Sequence, residues 1–206
     1  MRVAILGSGG FGAALAAAAV RAGHRVTVSA RHPEHAEGAA RAAGAEAAPS
    51  NRSAIEGAEV VVLALPFTAV ADVAREAGSA CAGRVVVDAT NRFAPEAMDG
   101  TSNAEQVQDF LPGARVVKAL NSIFAGRLGT PSEGGVPLDG FLAGDDAAAK
   151  EQVAEFLRTL GFRPVDAGPL VMARALEAVG LLGIQLQLRN GWSWQTGWKL
   201  VGPTGA

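Results

Sequence analysis

Six residues, Gly7-Ser8-Gly9-Gly10-Phe11-Gly12, carry the clearest chemistry in this chain. They follow a short apolar run at 3–6 and precede an alanine-rich stretch. Glycine at the first, third and sixth places of a strand–turn–helix junction is what a dinucleotide pyrophosphate requires. Gly7 permits a sharp turn. Gly9 has no Cβ, so a pyrophosphate can approach the backbone. Gly12 lets the helix pack close to the strand. The helix N-terminus adds free N–H donors and a partial positive charge. The pattern predicts a nicotinamide dinucleotide site; the competing reading is a degenerate fold of the same kind that binds nothing.

The nucleotide's identity is read further along. A site for NAD usually places Asp or Glu at the end of the second strand, about 20 residues past the glycines, to hold the ribose 2′-hydroxyl. Here that place reads Val28-Ser29-Ala30-Arg31-His32, with no acid. Arg31 can meet a 2′-phosphate bidentately and stack on adenine. Ser29 can donate a hydrogen bond, and His32 can lean on the phosphate. The expected cofactor is NADP(H). His35 reads as a surface residue and His24, beside a helix end, as structural.

In such a fold ligands lie outside the C-terminal ends of the strands. Those ends carry Leu65-Pro66-Phe67, Asp88-Ala89-Thr90-Asn91 and Lys118-Ala119-Leu120-Asn121-Ser122. Leu65, Pro66, Asn91, Ala119, Leu120 and Asn121 are candidates to face the dinucleotide or its hydride acceptor. The plainer readings are that Pro66 ends a strand, Asp88 satisfies turn N–H groups, and Lys118 is an exposed ion-pair partner; the functional reading of Lys118 is a general acid. No Ser–His–Asp, Cys–His or paired-carboxylate arrangement stands out. No catalytic side chain is therefore predicted, because hydride transfer between two redox cofactors depends chiefly on positioning.

The elements that must hold these residues alternate. Strands are expected at 3–6, 25–29, 60–65, 84–88, 114–118, 140–143 and 162–166. Helices are expected at 11–22, 33–43, 68–78, from the Ser102 capping box to about 111, and at 146–160 behind an Asp145 cap. This is α/β, a Rossmann-type doubly wound and mostly parallel sheet. Residues 1–167 form the nucleotide domain. Residues 168–206 form an apolar helix, begun by Pro169, and a tail with Trp192, Trp194 and Trp198. That segment should complete the acceptor pocket or a homodimer interface.

Composition limits the alternatives. The 206 residues carry 18 basic and 20 acidic side chains, a net charge of −2, which argues against nucleic acid or an anionic membrane as partner. The single cysteine, Cys81, excludes an internal disulfide and suits a cytoplasmic home. Three histidines and one cysteine make no metal cluster. No leader is expected before the first strand. The late apolar stretch contains Arg174, Glu177, Gln185 and Gln187, which suits a buried or interface helix better than a membrane span.

The segments M-R-V-A-I-L-G-S-G-G-F-G, S-A-R-H-P, V-V-V-L-A-L-P, V-V-V-D-A-T-N, S-N-A-E, V-V-K-A-L-N, A-G-D-D, G-F-R-P-V-D-A-G-P-L and R-N-G together resemble the coenzyme F420-dependent NADP oxidoreductase family. They also resemble the cytosolic domain of six-transmembrane ferric reductases. The resemblance implies that Ser8, Gly9, Gly10 and Phe11 hold the pyrophosphate and that Ser29 and Arg31 meet the 2′-phosphate. It sets the Leu65-Pro66 and Asn91 turns along the ribose and nicotinamide, with loop 119–122 facing a second cofactor. The implied acceptor is coenzyme F420 or a flavin, FMN or FAD. One departure is visible: archaeal deazaflavin enzymes carry a His-Thr pair where this chain has Leu120-Asn121-Ser122, and K-A-L-N is closer to the ferric-reductase version. Two other readings are a β-hydroxyacid dehydrogenase or imine reductase, which needs a larger helical second domain, and an NADPH-binding sensor without turnover.

Overall fold

A computed structural model describes residues 1–93 and 100–203. Its centre is an eight-stranded sheet in the order β10-β9-β6-β5-β4-β1-β2-β3. The strands are β1 Arg2–Leu6, β2 Arg25–Ser29, β3 Glu46–Ala47, β4 Val60–Leu63, β5 Val85–Asp88, β6 Arg115–Ala119, β9 Asp139–Gly144 and β10 Arg163–Asp166. A separate hairpin joins β7 Ser132–Glu133 to β8 Val136–Pro137. The order reverses between β1 and β4, so the glycine turn after β1 sits at the topological switch point.

The central strands are nearly continuous apolar runs because both faces are covered. Val3, Ile5, Val60 and Val62 join a core under α1 Gly10–Arg21 and α6 Ala147–Thr159. Ala4, Leu6, Val61 and Leu63 join another, with residues of α3 Asn51–Glu56, α4 Val70–Ala77 and α5 Asn103–Phe110. The period of two in each strand sorts its side chains between these layers. α2 Pro33–Ala43 has proline in its first turn and ends on left-handed Gly44.

The expected mostly parallel sheet forms, with one edge opposing the rest: β9 runs antiparallel to β6, and β10 runs parallel to β9. Two local expectations are corrected. The span expected as one helix at 68–78 is a 3-10 turn, Phe67–Ala69, followed by α4. The side chain that caps α6 is Asp146, which accepts from the Ala149 N–H at 2.7 Å. Asp145 instead accepts from the Leu170 N–H at 2.8 Å, tying the start of the last helical segment to the sheet edge.

That last segment is part of the fold. A 3-10 turn, Leu170–Met172, leads into α7 Ala173–Asn190. Leu170 and Ala173 belong to the core. Leu170–Asn190 is the one stretch, among the described residues, long and apolar enough to cross a membrane by length and composition, and about half of its most apolar part is buried in the fold. The tail then returns to the sheet edge. Asp139, buried, accepts from Arg163 through both carboxylate oxygens at 2.7 Å and from the Leu200 N–H at 2.6 Å.

The capping box expected at Ser102 forms: Ser102 Oγ accepts from the Glu105 N–H, and Glu105 accepts from the Ser102 N–H at 2.7 Å. Arg174 of α7 donates twice to the same carboxylate, at 2.7 and 2.8 Å. That guanidinium, with help from Ser102, holds the Glu105 carboxyl at about 2 against an ordinary 4.5. A depressed folded pKa contributes stability that is present above 4.5 and is lost as pH falls toward 2. Arg174→Leu should therefore flatten the loss of stability across that window, as read by urea unfolding at a series of pH values.

Candidate functional site

The turn after β1 explains its glycines individually. Gly7 has φ +117°, and a Cβ there would overlap the Ala64 carbonyl at the end of β4. A Cβ on Gly12 would overlap the Gly7 carbonyl. Gly9 is different: it is the N-cap of α1 at φ −66°, ψ 179°, an ordinary extended conformation. A Cβ on Gly9 or Gly10 would meet nothing within 4 Å. The space ahead of the helix is therefore open, no side chain caps it, and its first turn carries no acid. Unpaired N–H groups pointing into open space at a helix N-terminus fit a pyrophosphate.

Two clefts meet at this turn. The first, of about 690 Å3, is lined by Gly7, Ser8 and Gly9 on one side and by Arg31, His32 and His35 on another. His35, expected only at the surface, shares this rim with His32, their rings 5.3 Å apart. Ser29 lies beneath the cleft rather than in it. It is fully buried, and its hydroxyl donates to Asn51 Oδ1 at 2.8 Å, so its proton is already used. Asn51 in turn donates to Glu76 Oε2 at 2.7 Å. Glu76 and Asp72 reach the cleft from α4, and Asp72 is held by Arg75. Asn51, Asp72 and Glu76 escaped the sequence reading. Two short helices, one missed and one misjudged in extent, bring them in.

The second cleft, of about 400 Å3, continues from Gly9, Leu65 and Pro66 toward the ends of β5 and β6. Gly10 and Phe11 line it from the glycine turn, with Asn91, Leu120 and Asn121 from the later loops. Ala119 is the exception among the expected residues: it is the last, wholly buried residue of β6 and only supports the loop. Asn91 and Asn121 clamp the two loops together. Asn91 donates to the Asn121 carbonyl at 2.7 Å, and Asn121 donates to Asn91 Oδ1 at 3.1 Å and to the Leu176 carbonyl at 2.8 Å. Leu120, between them and β6, has φ +68°.

Beneath the clamp lies a buried ionic cluster. Lys118 is wholly inaccessible. Its ammonium donates to Asp88 at 2.8 Å and to the Thr90 carbonyl at 2.6 Å, and pairs with Glu177 at 3.0 Å. Glu177, on α7, also takes Arg92 at 2.9 Å and the Asn103 and Ala104 N–H groups at the start of α5. Lys118 is thus neither an exposed ion-pair partner nor a general acid: it is sealed from both clefts. Asp88 does satisfy a turn N–H, that of Thr90, at 3.0 Å. The missed member is Glu177, which the sequence shows only as one charge in an apolar helix.

α7 closes the second cleft. Gly180 allows it to lie against the clamp, since a Cβ there would overlap Asn91 Oδ1. Ile184 and Trp194 line the cleft. Trp194 meets Phe124 edge-on, with ring centroids 5.3 Å apart. The Trp194 N–H donates to the side chain of buried Gln187 at 2.9 Å, while the other end of Gln187 donates to Thr196. Trp192 is exposed, and Trp198 abuts Gly183 and accepts from the Asp139 N–H.

Comparison with known proteins adds independent information. A family profile described as "NADP oxidoreductase coenzyme F420-dependent" matches residues 2–92. The F420-dependent NADP reductase of Methanothermobacter marburgensis is 31% identical over 212 residues, covering 92% of this chain and 94% of that protein. Metalloreductase STEAP3 of Rattus norvegicus is 32% identical over 185 residues; the match takes in 87% of this chain but spans only 36% of that relative's length. The crystal structure of a putative F420-dependent NADP-reductase from Arthrobacter sp. FB24 superposes with a TM-score of 0.87 at 28% identity, covering 98% of this chain and all of that one.

Proposed function

Because the chain belongs to the coenzyme F420-dependent NADP oxidoreductase family, we propose that it transfers a hydride between NADP(H) and a deazaflavin or flavin ring. The observation that carries this reading is the meeting of two unlike clefts at Gly9, Leu65 and Pro66. One bears Arg31, His32 and His35, and suits the 2′-phosphate end of the nucleotide. The other is walled by aromatic and apolar side chains and suits two stacked rings.

The α1 N-terminus, with Ser8, Gly9, Gly10 and Phe11, would hold the pyrophosphate, and Arg31 the 2′-phosphate. Ser29 acts one step back, fixing Asn51. Bound NADPH supplies the hydride; the acceptor takes it together with a solvent proton, leaving NADP+ and the reduced acceptor. The chain's contribution is positioning and exclusion of water. The clamp of Asn91 and Asn121 sets the floor, and Trp194 and Ile184 the far wall. No side chain need exchange a proton.

Two experiments bear on this. Arg31→Ala should weaken NADPH about tenfold or more, since a hydrogen bond to a charged group contributes roughly 1.5–3 kcal/mol, and should leave NADH nearly unchanged. Equal losses for the two nucleotides in calorimetric titrations would remove Arg31 from the 2′-phosphate. A panel of coenzyme F420, FMN, FAD and ferric chelates, each followed by NADPH oxidation, tests the reaction itself. Turnover with the deazaflavin or a flavin supports the proposal, and oxidation by none of the four contradicts it. The same reading includes a homodimer formed through the outward face of α7, where Leu182 and Leu188 are exposed; sedimentation velocity tests it.

A further inference from the structure

The acceptor cleft differs from the nucleotide cleft in a way that bears on what it can recognise. Among the described residues lining it there is no Asp, Glu, Lys, Arg or His. Five aromatic side chains line it instead: Phe11, Phe67, Phe93, Phe124 and Trp194. The cations nearest in sequence are committed elsewhere. Arg92 is bound to Glu177 and the Thr101 carbonyl, Lys118 is buried in its own ion pairs, and buried Arg127 donates to the Ser132 carbonyl and Glu133. Residues 94–99, which follow Phe93, read Ala-Pro-Glu-Ala-Met-Asp and contain no basic side chain.

The wall itself is specially built. Only two non-glycine residues among those described have positive φ, Leu120 at +68° and Trp194 at +61°, and both line this cleft. Left-handed backbone costs on the order of 1 kcal/mol or more at a bulky residue and persists where surrounding structure enforces it. At Trp194 the enforcing group is Gln187, whose buried carbonyl holds the indole residue's N–H. The strained backbone brings the Trp194 side chain to the cleft wall, beside Phe124.

Resting on the hydride-transfer reading, we propose that this cleft binds its acceptor by the heteroaromatic ring alone, packed against Trp194, and does not read the acceptor's anionic tail. The tail extends into solvent with no cationic partner. Riboflavin and FMN share one ring and differ by a phosphate, so they isolate the effect.

The test is calorimetric binding of riboflavin and of FMN to the full chain saturated with NADP+, at low and at high salt. The expected dissociation constants agree within about twofold and ignore salt, whereas a charge-assisted contact to the phosphate would separate them about tenfold or more. Trp194→Ala should weaken both flavins about tenfold, as lost ring stacking does, with NADP+ affinity unchanged, and Trp194→Phe should restore most of it. FMN binding tenfold tighter than riboflavin, and weakening with salt, overturns the inference while leaving hydride transfer intact. Failure of both flavins to bind also overturns it. Binding of both flavins, with no NADPH oxidation by them or by coenzyme F420 in a parallel assay, leaves ring recognition standing and defeats the hydride-transfer proposal.

Discussion

Gly9→Val is expected to abolish NADPH binding while the protein stays folded. The backbone at Gly9 is extended, at φ −66° and ψ 179°, so valine adopts it without strain. The added Cβ is free of the rest of the protein, with nothing within 4 Å. It fills the space through which a pyrophosphate must reach the N–H groups of α1. The cost to stability is at most about 1 kcal/mol, the penalty for losing a favourable N-cap residue. The cost to binding is a loss of about a hundredfold or more, roughly 2.7 kcal/mol. Gly12→Val should do the reverse and unfold the domain, since its Cβ would overlap the Gly7 carbonyl. Thermal unfolding and calorimetric titration of both variants separate the two roles. A Gly9→Val protein that binds NADPH normally would show that the open space ahead of α1 is not the pyrophosphate site.

Glu177→Leu is expected to be the most damaging single change to stability outside the glycine turn. It leaves Lys118 with Asp88 and the Thr90 carbonyl, and removes the Glu177 carboxylate from Arg92 and from two N–H groups of α5. Breaking a buried pair by removing one partner typically costs about 3–5 kcal/mol, comparable with much of a domain's net stability. The urea midpoint should fall with little change in slope. A loss under about 1 kcal/mol would mean that the cluster is hydrated and does not pin α7. The same cluster corrects an expectation about the C-terminal segment. Reading residues 1–167 as the nucleotide domain suggests that a chain cut after Gly168, if soluble, keeps NADPH binding and loses hydride transfer. Removing that segment would delete Glu177, two core residues, Leu170 and Ala173, and the Leu200 contact to Asp139, so the truncated chain should not fold stably.

What the sequence shows and what it hides divide along physical lines. Gly7 and Gly12 are legible because the turn imposes a local steric demand that only glycine meets, and Gly9 because a pyrophosphate needs the open space ahead of α1. Arg31 is legible because an acid is missing at a place fixed by strand length. The direction of β9 is not, since a strand's pattern does not encode its neighbour's sense. The cue was in the connection: between β6 and β9 there is a 3-10 turn and a hairpin in place of an α-helical crossover. Asn51 was missed because β3 and α3 are too short to show a period; Glu76 lay inside an expected helix, and its role shows only through its bond to Asn51. Asp88 and Lys118 stood out as strand ends, but their meaning depends on Glu177, a distant residue on a helix whose apolar positions drew attention. The tail's tryptophans could be read as packing or as a pocket wall; Trp194 is placed in the cleft by a left-handed residue and a buried glutamine, neither of which has a local signature.

The most direct test of the central claim is isotopic. NADPH carrying deuterium at the position of hydride departure is mixed, without oxygen, with the protein and coenzyme F420, and the reduced deazaflavin is analysed by mass spectrometry. Deazaflavin that gains the deuterium, at a rate lowered by isotopic substitution and abolished by Gly9→Val, is the predicted result. Reduced deazaflavin without the label, or NADPH bound firmly while coenzyme F420 and free flavins alike remain oxidised, would contradict it.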